Sequence, residues 1–80
     1  MMDDLFSRVS ELLASRFEVE QADLRSDASF DDMGLDSLAQ VELGEILAQE
    51  FGVDIDDEEM ENMSTLTELV GALRQKGVAV

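Results

Sequence analysis

The chain has no cysteine, no proline, no histidine, no tryptophan and no tyrosine. Without cysteine there are no disulfides and no thiolate metal sites, and a reducing compartment fits. Without histidine the usual general base near neutral pH is missing. Four phenylalanines are the only aromatics, so Leu, Val, Ile and Met must fill the core. Cations are scarce as well: 5 Lys and Arg stand against 20 Asp and Glu, a net charge of −15. This argues strongly against nucleic acid as a partner, because its affinity rests on Lys and Arg meeting phosphates. Anionic membrane surfaces are disfavoured for the same reason. No apolar run approaches the roughly 20 residues that span a bilayer. Met1-Met2-Asp3-Asp4 lacks the basic flank of a signal peptide, so the expected compartment is the cytoplasm. The charge is expected to keep the protein soluble and monomeric and to steer basic partners toward it.

What remains is 80 residues, 45% of them apolar, enough for one small core. Residues 1–80 are expected to form a single domain. Leu5, Phe6, Val9, Leu12, Leu13 and Phe17 recur every three or four positions, the stripe of an amphipathic helix. Asp3 or Asp4 suits its cap, and Arg16 suits the negative end of its dipole. Glu18 to Gly34 has no sustained periodicity and reads as a long loop, anchored by Leu24 and Phe30. Such a loop in a small domain is usually functional. A second helix is predicted from about Ser37 to Phe51, with Gly52 as its stop. Asp56 to Asn62 predicts one or two turns carrying Met60. Thr65-Leu66-Thr67-Glu68 is a T-x-x-E capping box that opens a last helix with Leu66, Leu69, Val70 and Leu73 on one face. Arg74 and Lys76 occupy its last turn, and Gly77 ends it. The predicted fold is all-α: a small four-helix bundle with a long first connection and a short third helix.

The second helix carries two apolar faces. On a wheel of about 100° per residue started at Leu38, the residues Leu43, Ile46, Leu47 and Phe51 fall between about 80° and 220°, near Ala39. That arc is the core face. Leu38 and Val41 fall elsewhere, among Glu42, Glu45, Ala48 and Gln49. A mixed face of this kind is either idle surface or a docking site, with apolar contacts for affinity and carboxylates for orientation. Ser37 opens the same helix, which favours docking.

Ser37 sits in Gly34-Leu35-Asp36-Ser37-Leu38. A catalytic serine needs a base, and the chain offers no imidazole and one lysine, Lys76, near the tail. No enzyme activity is expected. Asp54, Asp56 and Glu58 alternate like the first ligands of an EF-hand, but Glu59 stands at the sixth position and Thr65 at the twelfth. No dedicated metal site is expected. Ser37-Leu38-Ala39-Gln40 fits an S-x-x-Q capping box, and Asp36 could cap instead, which would release the Ser37 hydroxyl to solvent.

Taken together, the long loop, Asp31-Asp32-Met33-Gly34-Leu35-Asp36-Ser37-Leu38, the following Val41-Glu42-Leu43 and the acidic Asp56-Asp57-Glu58-Glu59 make the chain resemble an acyl carrier protein over essentially its whole length. The resemblance implies a freestanding carrier rather than an enzyme. It implies that Ser37 is esterified to 4′-phosphopantetheine donated by coenzyme A. It implies docking through Asp36, Leu38, Val41, Glu42 and Glu45. The partners would be a phosphopantetheinyl transferase and acyltransferases, ketosynthases and reductases with basic patches. It also implies that Leu43, Leu47, Phe51, Ile55, Met60, Met63 and Leu69 could line an acyl cleft between the second and third helices; an ordinary packed core is the alternative. Asp56 replaces the proline common in bacterial fatty-acid carriers, and Ala48 and Gln49 replace frequent glutamates. Fatty-acid and polyketide biosynthesis therefore both stay open, and a peptidyl carrier or an acidic interaction module without a prosthetic group are the other readings.

Overall fold

The computed structural model describes residues 4–25 and 27–78. Helix α1 spans Asp4–Phe17, a 3-10 turn follows at Gln21–Asp23, and α2, α3 and α4 span Ser37–Phe51, Asp57–Asn62 and Leu66–Gln75. The four predicted helices are present in the predicted order. Among the described residues, no helix is long and apolar enough to cross a membrane.

The predicted stripe of α1 faces inward, with Leu5, Val9 and Leu13 buried and Phe6, Leu12 and Phe17 packed beside them. Asp4 is the first helical residue rather than the cap, and Asp3 lies outside the described residues. The end of α1 carries no glycine signal. Glu18 takes the left-handed conformation there, at φ 56°, and the Val19 N–H reaches back to the Leu13 carbonyl at 3.3 Å. A glycine would take that backbone for about 1–2 kcal/mol less.

The long loop is pinned more firmly than its two expected anchors suggest. Phe30 is buried as expected, but Leu24 is only half-buried. Val19, Ala28, Met33 and Leu35 are the further buried anchors. A single helical turn explains this. Ser29 and Asp32 cap each other: the Asp32 N–H donates to Ser29 Oγ at 3.0 Å, and the Ser29 N–H donates to Asp32 Oδ2 at 3.3 Å. Gly34, at φ 78°, then turns the chain so that the Leu35 N–H meets the Phe30 carbonyl at 2.9 Å. The turn is stitched to the start of α4 by two backbone bonds, Phe30 N–H to Ser64 O at 2.9 Å and Leu66 N–H to Ala28 O at 3.1 Å.

Helix α3 has six residues, too few to persist alone. Its neighbours hold it. Met60 is buried against α2 at Gly44, where an added Cβ would lie 2.7 Å from Met60 Cγ. Gln40 Nε2 donates to the carbonyls of Met60 and Met63 at 3.2 and 3.3 Å, tying the end of α3 to α2. Lys76, just beyond α4, pairs with Glu59 at 2.8 Å.

Candidate functional site at the start of α2

Ser37 is the first residue of α2 and is exposed. Asp36 is the cap: its Oδ1 accepts from the Ala39 N–H at 2.8 Å. Of the two capping alternatives, the structure uses Asp36, so the Ser37 hydroxyl is spared that task. The backbone on either side is fixed. Leu35 is buried two residues before the serine, and the cap and first turn of α2 follow it. The result is an exposed hydroxyl on a rigid support.

Electrostatics set this helix start apart. α1, α3 and α4 each carry acid in the first turn, whereas α2 has none. The first turn is where a helix favours negative charge. In a chain with 20 acidic residues, this helix start has only the cap carboxylate of Asp36. A phosphodiester on Ser37 fits it: the ester needs a free hydroxyl, and its charge would sit at the positive end of the dipole.

The mixed face of α2 lies outward. Leu38 is 68% exposed, the one large apolar side chain among the described residues that is. Asp36, Glu42 and Glu45 are exposed and Val41 is half-buried. The ion pairs Arg8–Glu50, Arg25–Asp27 and Lys76–Glu59 leave Glu42 and Glu45 aside. The expected cleft residues divide. Leu43, Leu47, Met60 and Leu69 are at most 1% exposed and belong to the closed core, while Phe51, Ile55 and Met63 are half-buried at its margin.

The carboxylate beside Ser37 is that of Asp36, which is engaged as the cap of α2 through Oδ1. The one lysine is engaged with Glu59 on α3, and the chain has no histidine. Asp56, which the EF-hand spacing singled out, caps α3 by accepting from the Glu59 N–H at 2.8 Å. Gln40 and Gly44 support the site and escape sequence reasoning. Gln40 reads as part of an S-x-x-Q box but reaches across to α3 instead. Gly44 adjoins the core arc of the wheel, and its small size there is the signal for close helix contact.

Comparison with known proteins identifies the family. Residues 7–73 match the family described as a phosphopantetheine attachment site. Fold and match together define a small helical domain that bears 4′-phosphopantetheine. Two curated relatives narrow this further. The chain is 43% identical to acyl carrier protein 2 of Pseudomonas aeruginosa, over 92% of this chain and 95% of that protein. It is 40% identical to an acyl carrier protein of Petrotoga mobilis, over 92% of this chain and 88% of the other. A crystal structure of an acyl carrier protein from Thermotoga maritima shares the fold, with a TM-score of 0.81 at 20% identity, covering 91% of this chain and 86% of that one. The chain belongs to the acyl carrier protein family.

Proposed function

We propose that Ser37 is the attachment point and that α2 selects the proteins that reach it. The observation that carries this is the exposed serine at the first position of α2, with the cap supplied by Asp36. On attachment, a bond forms between Ser37 Oγ and the phosphorus of the pantetheine phosphate. The pyrophosphate bond of coenzyme A breaks, the adenosine bisphosphate leaves, and the serine proton passes to a base on the transferase. The bound group supplies a thiol on a flexible arm, able to hold acyl groups as thioesters. The chain supplies the rest: a rigid base for the arm, no cysteine or histidine to attack a thioester, and a docking face.

Leu38 is the apolar anchor of that face, with Val41 beside it. Glu42 and Glu45 orient basic patches on the partner enzymes and raise the encounter rate. The partners are a phosphopantetheinyl transferase and the acyltransferases, ketosynthases and reductases of fatty-acid or polyketide synthesis, within the cytoplasm. Leu43, Leu47, Met60 and Leu69 form the core wall that would open to shelter a chain, with Phe51, Ile55 and Met63 at its rim. Methionine repacks readily enough to allow this.

The test is intact mass after incubation with coenzyme A and a broad-specificity phosphopantetheinyl transferase. Wild type gains one phosphopantetheine and Ser37→Ala gains none. Equal gain in both, or none in either, rejects the assignment; the latter result favours an acidic interaction module.

A further inference from the structure

Helix α3 reaches the core through a single side chain. Met60 is its buried residue, while Asp57, Glu58, Glu59, Glu61 and Asn62 are exposed or half-buried. The Met60 thioether lies over bare backbone of α2. A Cβ at Gly44 would stand 2.7 Å from Met60 Cγ, 3.3 Å from its Sδ and 3.9 Å from Ile55 Cγ2. Gly44 has no left-handed backbone to account for it, and a glycine inside a helix is unfavourable relative to alanine. What the glycine provides is a slot as wide as one unbranched chain.

The frame of α3 is held independently of that side chain. Gln40 Nε2 donates to the backbone carbonyls of Met60 and Met63, and Lys76 pairs with Glu59 at 2.8 Å. Neither tether uses the Met60 thioether, so the side chain can leave the slot while α3 stays in place. Ser37, Gln40, Gly44 and Leu47 share one face of α2. Gly44 lies two turns, about 10 Å, along the helix from Ser37. A chain entering from the Ser37 end meets Met60 there.

We propose that Met60 is the specificity-determining residue for cargo: a straight alkyl tail takes the place of its side chain over Gly44, and a wider tail stays outside. The methionine side chain is itself unbranched and flexible, close in cross-section to a run of methylenes. A branch at the same point would meet the backbone of α2. Depth adds a second requirement. Among the described residues no polar or charged residue is buried. A hydroxyl or keto group carried to this depth would lose water without gaining a side-chain partner. The cargo class is therefore an acyl group whose tail is straight and apolar. Its delivery rests on the reading of Ser37 as the attachment point; the slot itself does not.

The experiment loads the full chain from acyl-coenzyme A with the transferase, uses intact mass to report attachment, and follows the Met60 methyl by ¹³C NMR. An octanoyl tail should move that signal from its position in the thiol form, with the α3 amides still protected from exchange. An isomeric acyl group with a tert-butyl tip should leave it in place, as should an octanoyl group ending in a hydroxyl. Octanoyl on Gly44→Ala should also leave it in place. In the unloaded chain, Met60→Ala should empty the slot and bind xenon saturably, with methyl shifts at Leu43 and Leu47 that wild type lacks. Met60→Val serves if the larger truncation unfolds. A Met60 signal unmoved by octanoyl, moved equally by the branched isomer, or moved only with loss of α3 protection would overturn the proposal. Absence of any mass gain rejects the Ser37 reading instead. The xenon measurement then decides the slot alone, and no saturable shift overturns it.

Discussion

The starts of α2 and α4 use one kind of chemistry for opposite ends. At α4 the capping box is complete: Thr65 Oγ1 accepts from the Glu68 N–H at 3.2 Å, and Glu68 Oε1 accepts from the N–H groups of Ser64 and Thr65 at 2.9 and 3.1 Å. Every side chain of that box is spent on the fold. At α2 a single carboxylate, Asp36, makes the cap, the first turn is uncharged, and the serine beside it is left in solvent. One helix start is closed by its own side chains, and at the other the serine is exposed. Hydroxyls that look equivalent in sequence, Ser37 and Thr65, therefore differ in what their loss would cost.

The largest effect expected from this contrast is functional. Ser37→Ala should lose phosphopantetheine attachment completely, while its stability moves by no more than about 0.5 kcal/mol, as for ordinary surface positions. Thr65→Ala should do the reverse: attachment continues, and denaturant unfolding reports a loss of about 1 kcal/mol from the broken cap. A Ser37→Ala chain destabilised as much as Thr65→Ala would break the comparison.

The two interior glycines extend it. In Gly44→Ala the new methyl meets Met60, which is 1% exposed, and overpacking costs about 1–3 kcal/mol against a helix gain of about 1. A net loss of about 1 kcal/mol is expected, with faster hydrogen exchange in α3. In Gly71→Ala the methyl meets open space, so a gain approaching 1 kcal/mol is expected. Equal responses would mean that α3 is not seated on Gly44.

The smallest effect is electrostatic. The N–H groups of Ser64 and then Thr65, with help from the Thr65 hydroxyl, hold the Glu68 carboxyl below its ordinary value of 4.5. The folded state therefore binds this proton less readily than the unfolded chain does. The stabilisation is complete above pH 4.5 and is lost as pH falls through the lower folded value. Glu68→Gln should flatten the acid limb of the melting-temperature profile slightly. An unchanged profile would show that the box carries no net charge-linked stability.

Much of this architecture is legible in the sequence because helices announce themselves through period and caps. The α1 stripe, the Thr65–Glu68 box and the Gly52 stop are local patterns with local causes. The end of α1 is not legible, because Glu18 adopts a glycine's backbone under the pull of Val19 into the core. In the loop, isolated bulk marks only Leu24 and Phe30 as anchors, whereas the Ser29–Asp32 turn buries Met33 and Leu35 as well. Gln40 and Gly44 act on α3, 16 to 23 residues away in sequence, and no local rule reaches that far. Ser37 was legible for the opposite reason. Its neighbours cap, turn and bury within a few residues on either side, so the motif itself describes the support.

The most direct test is where the prosthetic group sits. After treatment with coenzyme A and the transferase, fragmentation of the modified chain by mass spectrometry should place the added mass on Ser37 alone. Placement on Ser29 or Ser64, the serines at the stitch between loop and α4, would contradict the account that α2 is the open helix start.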